Sequence, residues 1–226
     1  MSDRRDTGQT GQWLDSDGQQ WWFDSGSVAL DFAYSGSMGD TPAWEKLHTA
    51  DDLAGWLNER FTVAAPEAGA TASTSAPGVG SPAAAMSATD RDLLDAKALR
   101  DAIASLTNAA AARASLNTRD IDVLNLFAAT PDIPPSLGGG SRQAGRTAPR
   151  AGQALSTLAR TAIELFEPTE IERIRECSAD DCGIIYLDTS RSANRRWCSM
   201  QRCGNRAKIR AYRERLAQQD SEPAAR

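Results

Sequence analysis

All four cysteines of this 226-residue chain lie in one short stretch, as Cys177-x4-Cys182, fifteen intervening residues, then Cys198-x4-Cys203. Two close pairs separated by a medium loop are what a tetrahedral metal site requires. Each pair supplies two thiolates from one tight turn, and the loop brings the pairs together. Soft thiolates favour zinc. The competing readings are two disulfides or reduced buried thiols. Charges occur at the N-terminus, Met1-Ser2-Asp3-Arg4-Arg5-Asp6, but no apolar run follows them as a secretory signal would need. The expected compartment is therefore the cytoplasm, where clustered cysteines favour metal over disulfides.

Charge is distributed unevenly around this cluster. The chain carries a formal net charge of −5, yet residues 189–216 hold nine basic residues against one acid, Glu214. That segment is +8 and the remainder must be −13. An acidic body with a basic end points to an anionic partner for that end. A helix is expected from Gln201 or Asn205 to Gln218. On it Ile209, Tyr212 and Leu216 share one apolar face able to seat the helix on the finger or body. Arg202, Arg206, Arg210 and Arg213 form a stripe beside that face, and Lys208 and Arg215 flank it on the other side. With Arg191, Arg195 and Arg196 these are the candidate nucleic-acid contacts. Two other readings remain open: a finger that binds an acidic protein, and arginines that only offset the negative charge of a four-thiolate zinc site.

Between the cysteine pairs, Ile184–Leu187 is a strand candidate, Asp188–Asn194 is turn-like, and Arg195–Cys198 can return as a second strand. Gly204 follows the last cysteine, where close approach to the metal favours a residue without Cβ. The order of turn, hairpin and helix predicts a small treble-clef-like finger over residues 169–217, with residues 218–226 as a tail.

Upstream, the pattern predicts an α+β, helix-rich domain with a few short strands over residues 21–166, preceded by a mobile tail at 1–20. Trp21-Trp22-Phe23 and the segment Ser27–Tyr34 read as short strands, or as a strand leading into a helix. Thr49 caps a helix ending near Phe61, with Leu53, Trp56 and Leu57 on one face. Thr89 caps a long helix to about Ala114, with Leu99, Ile103 and Leu106 inward. Helices follow over 118–128, with Ile121, Leu124 and Leu126 available for burial, and over 151–166. Residues 64–88 and 131–150 are rich in small residues, Gly and Pro, and read as flexible insertions. A turn over Thr169–Arg175 delivers the chain to Cys177.

Catalytic signals are sparse. His48 is the only histidine and has no cysteine near it, and no phosphate-binding glycine loop occurs. Four thiolates would close a zinc shell that a catalytic metal keeps open. No apolar run of transmembrane length exists. Trp21, Trp22, Trp44 and Trp56 are expected mainly in the core, with a ligand pocket as the alternative. The expectation is a non-enzyme.

Cys177-x4-Cys182, Tyr186-Leu-Asp188, Ser190-Arg191, Arg195-Arg-Trp-Cys-Ser-Met200 and Cys203-Gly-Asn-Arg206 together resemble the CGNR zinc finger, named for the tetrapeptide at 203–206. The resemblance implies that Cys177, Cys182, Cys198 and Cys203 bind zinc and that the finger is a DNA-binding module. Leu30-Asp31-Phe32, Asp52-Leu53 with Trp56-Leu57, Ala98-Leu99-Arg100 and Leu124-Asn125 resemble the ABATE domain that usually precedes it, a domain described as a stress-induced transcription regulator. What this implies is a DNA-binding regulator whose body senses an unidentified small molecule or forms a homodimer.

Overall fold

In the computed structural model, the described residues are 10–16, 19–36, 38, 44–61, 85–135 and 149–221. The first element is an antiparallel hairpin of β1 (Gln12–Ser16) and β2 (Gln19–Phe23), with Trp13 opposite Trp22 and Leu14 opposite Trp21. Residues 12–16 are thus a strand and not part of a mobile tail; the rest of the expected tail, 1–9 and 17–18, lies outside the described residues. The period-2 pattern explains the hairpin. Leu14, Trp21 and Phe23 face the core, while Trp13 and Trp22 face solvent as an edge-to-face pair.

Ser27 opens helix α1 (Val28–Ala33), its hydroxyl accepting from the Ala29 amide, so of the two readings of this segment the strand leading into a helix is the one found. All six α1 residues are buried. Asp31 is among them: its carboxylate accepts from the Gly11 amide at 2.6 Å and the Ser25 hydroxyl at 2.6 Å, and burial pushes its pKa up to about 6. Tilted and edge-on ring contacts join Phe23 to Tyr34 and Tyr34 to Trp44, and a separate one joins Phe32 to Trp56.

Four longer helices complete the body. Helix α2 (Ala50–Phe61) starts at Thr49, whose hydroxyl accepts from the Asp52 amide while the Asp52 carboxylate accepts from the amides of His48 and Thr49. Helix α3 (Asp90–Ala111) opens on the same reciprocal cap between Thr89 and Asp92. It buries Leu99, Ile103 and Leu106 as its apolar period requires. Helices α4 (Thr118–Ala128) and α5 (Ala151–Leu165) pack on it and on each other. Leu126 is 70% exposed, contrary to its expected burial, because α4 is a two-sided helix that buries only Leu124 fully.

The ends of both expected insertions are pinned. Met86 is buried, and its backbone exchanges two 2.8 Å hydrogen bonds with the Asn58 side chain. Asp132 and Ile133 are tied to α5 through Gln153 and Thr157. Residues 62–84 and 136–148, the remainder of those insertions, lie outside the described residues.

After α5, a single 3-10 turn (Ile171–Arg173) leads into β3 (Ile174–Glu176), which pairs antiparallel with β4 (Ile185–Leu187). The partner of β4 is therefore β3, from the segment expected to be a turn, and not Arg195–Cys198. Pairing with β3 places Ile174, Ile185 and Leu187 in the body's core. A π-helical turn (Met200–Gly204) then passes into α6 (Asn205–Ser221).

Candidate metal centre and its basic flank

The β3–β4 ladder sets the first cysteine pair. The Cys177 amide donates to the Ile184 carbonyl at 2.8 Å, one step beyond the last ladder pair. The chain then turns, with the Cys182 amide donating to the Ala179 carbonyl and Gly183 at φ +63, a conformation that favours glycine. The second pair is set by the π turn. Ser199 caps it, and the Gly204 amide reaches back to the Ser199 carbonyl, which directs Cys198 and Cys203 to the same side.

The four Sγ atoms lie within 4.8 Å of one another, and Cys177, Cys198 and Cys203 are buried. Cys182 and Cys203 each lie 3.5 Å from Cys198. Thiolates about 2.3 Å from a tetrahedral centre stand about 3.8 Å apart, so this donor set fits a soft divalent metal ion. Crowding also affects protonation. Hydrogen bonds from Cys182 and Cys198 hold the Cys177 thiol down at about 2, and the ionised Cys177 in turn pushes Cys182 up to about 12 and Cys198 higher still. Thiolates packed this closely repel one another, so a bound cation is what lets them ionise together. The Cys198 amide donates to the Cys177 sulfur at 3.4 Å, and an Arg206 nitrogen stands 3.2 Å from the Cys203 sulfur.

Residues 173–216 match the family model for the CGNR zinc finger. Residues 26–167 match the ABATE model, described as "Putative stress-induced transcription regulator". The chain belongs to the ABATE family. No curated protein matches it. The helix-rich body with its small four-cysteine finger is the architecture its sequence implied.

The arginines of the CGNR finger divide into engaged and outward-facing sets. Arg206 grips the Asp181 carboxylate with both terminal nitrogens, at 2.9 and 3.2 Å. One turn on, Arg210 pairs with Asp180 at 3.6 Å. Arg202 lies over the Trp21 ring at 5.1 Å. Arg195 is held most firmly: its guanidinium sits 4.1 Å above the Tyr186 ring and donates to the carbonyls of Trp197, Cys198 and Asp24. Arg195 thus works inside the finger and between finger and body. Arg196 lies over the Trp197 ring at 5.1 Å and is exposed. Arg191, Lys208, Arg213 and Arg215 are exposed and form no ion pair with a described residue.

Helix α6 departs from its expected seat. Ile209, Tyr212 and Leu216 are 52%, 56% and 43% exposed, and every side chain from Lys208 to Gln218 faces solvent. The apolar seam is real, but no described element covers it. The reason for Gly204 also differs from expectation. A Cβ there would lie 2.7 Å from the Met200 sulfur and 3.3 Å from the Trp197 ring, so these side chains, and not the metal, fill its space.

Several residues build the centre through contacts that residue spacing does not report, Asp188 of the finger motif among them. Asp188 is fully buried and accepts from the Ser190 amide and hydroxyl and from the Arg195 amide. These bonds outweigh burial and hold its carboxyl below the usual range. The Tyr34 hydroxyl, deep in the ABATE region, donates to the Ile185 carbonyl and accepts from the Ile185 amide at 2.9 and 2.8 Å. The Leu187 amide donates to the Ser25 carbonyl. Gly26, at φ +84, lies so close that a Cβ would stand 2.5 Å from the Leu187 carbonyl oxygen. Partners 151 residues apart leave no trace in local spacing. His48 is exposed beside its helix cap, its amide donating to the Asp52 carboxylate, and among the described residues it joins no cluster of metal-binding side chains.

Proposed function

We propose that this chain is a zinc-dependent DNA-binding regulator. Cys177, Cys182, Cys198 and Cys203 hold zinc, the finger meets DNA, and the ABATE body senses a small molecule or dimerises. The observation that carries this reading is the cluster of exposed cations at the metal-anchored end of an otherwise acidic chain: Arg191 and Arg196 in the finger, and Lys208, Arg213 and Arg215 around α6. Arg206 and Arg210, tied to the knuckle aspartates, add charge at the same end of the chain and can exchange partners, whereas Arg195 is reserved for the fold. Arg202, lying on Trp21, sits at the edge of the surface. The reading assigns no catalysis, because four thiolates close the zinc shell. It places the protein in the cytoplasm and links it to a stress response. Among the described residues, no helix is long and apolar enough to cross a membrane.

Duplex binding titrated against salt tests the proposal. A linear log–log dependence is expected, and Lys208→Ala and Arg213→Ala should each lower the slope by about 1 if each cation meets one phosphate. Absence of duplex binding at low salt overturns it. A specific observation supports a second reading, a protein-interaction adaptor: the exposed Ile209–Tyr212–Leu216 seam, bordered by cations, suits an acidic amphipathic partner. In that case Leu216→Ser abolishes partner capture while leaving the salt titration flat.

A further inference from the structure

Beside the second cysteine pair, the finger and the β1–β2 hairpin enclose an open cleft of about 600 Å³. This is within the roughly 300–1,000 Å³ range of small-ligand sites. Its walls carry two aromatic rings and a thioether: Trp22 from β2 on one side, Trp197 and the half-exposed Met200 on the other. Trp22 is 42% exposed and braced edge-on by Trp13, itself 59% exposed. Most of the chain's large aromatic side chains pack inward, and these two do not. The Trp22 ring cannot swing freely, because Gly11 packs so tightly against it that a Cβ would lie 2.3 Å from the ring. The cleft therefore presents a braced flat apolar surface to solvent.

Its charge and polar groups are also specific. Arg196, stacked on Trp197, and Arg195 line the cleft against a single acid, Asp24, whose carboxylate already accepts from the Gly26 amide. Asn194 and Gln201 add side-chain amides to the same lining. Flat aromatic walls, an excess of guanidinium and a few amides match one ligand chemistry: a planar heterocycle joined to a phosphodiester. Aromatic stacking takes any base by its π-face, arginine takes the phosphate, and amides read the base edge. A base paired inside a duplex cannot offer its face to a concave cleft, whereas an unpaired one can.

We infer that the Trp22–Trp197 cleft binds an unpaired nucleotide, so the finger prefers DNA carrying a single-stranded segment over blunt duplex. This inference rests on the DNA-binding reading and narrows it.

The test uses the full zinc-loaded chain and three probes: a blunt duplex, the same duplex with an oligothymidine tail, and the tail strand alone. The tailed duplex should bind at least about fivefold more tightly than the blunt one, with quenching of tryptophan fluorescence on binding. Trp22→Ala should remove that gain and return affinity to the blunt level, while Trp22→Phe retains most of it. Zinc stoichiometry and the thermal midpoint check that each variant folds; should Trp22→Ala fail to fold, Arg196→Ala, an exposed side chain, takes its place and should lower the gain. Equal affinity for blunt and tailed duplex overturns the cleft proposal and leaves DNA binding standing. Retention of the gain in a folded Trp22→Ala protein also overturns it. Binding of none of the probes overturns both readings together.

Discussion

Arg206 serves two neighbours at once, the Asp181 carboxylate and the Cys203 sulfur, and hydrogen bonding to that sulfur stabilises its own charge further. A cation donating to a ligand sulfur stabilises the thiolate form that binds metal. Arg206→Ala is therefore expected to weaken metal affinity by roughly tenfold, read by competition with a chromophoric chelator. An arginine serving DNA alone would leave that affinity unchanged. Asp31 gives a pH prediction. Its folded pKa of about 6 lies above the ordinary aspartate value of 3.8, so the folded state binds more protons than the unfolded state between those values. Stability contributed by this group is then greatest in acid and is lost as pH rises through about 6. Relative to Asp31→Asn, which does not titrate, the wild type should lose about 1 kcal/mol between pH 5 and pH 7 in urea unfolding. A difference that stays constant, or grows in the opposite direction, refutes the assignment.

Helix ends and helix faces behave differently in this chain. The caps at Thr49 and Thr89 are local: a hydroxyl and an aspartate three residues apart satisfy the first amides whatever surrounds them. Thr89→Ala should cost about 1 kcal/mol in denaturant unfolding. Faces depend on what lies opposite. The α3 stripe Leu99–Ile103–Leu106 meets the rest of the body and is fully buried, whereas the α6 stripe is met by no described element. Leu99→Ala should therefore cost about 2–5 kcal/mol, and Ile209→Ser less than about 0.5 kcal/mol, in the same assay. A large loss from Ile209→Ser would show that α6 is seated after all.

Finger and body share one apolar core, in which Ile174, Ile185, Tyr186 and Leu187 join the helices of the body. Polar ties reinforce it at Tyr34–Ile185, Ser25–Leu187 and Asp24–Arg195. Because Asp31 bonds both Gly11 and Ser25, the loop that carries Ser25 links the body's interior to β4. Metal removal is accordingly expected to destabilise the body along with the finger. Chelator should lower the melting midpoint in a single transition seen by the body's tryptophans; two separate transitions would contradict this. Tyr34→Phe leaves both backbone groups of Ile185 unpaired and should cost about 1–3 kcal/mol.

Covalent spacing and local chemistry were enough to place the four cysteines together, to start α2 and α3 at their threonines, and to mark the last fifty residues as basic. Each depends on neighbours within a few residues, or on ligand types that few chemistries use. The partner of β4, the burial of Met86, the inward use of Arg195 and the bare apolar seam of α6 were decided by tertiary structure. A period of 3.6 states that a helix has an apolar face, but not whether another element arrives to cover it. Likewise an arginine's charge is written in the sequence, while the carbonyls and rings that claim it come from segments as distant as Asp24.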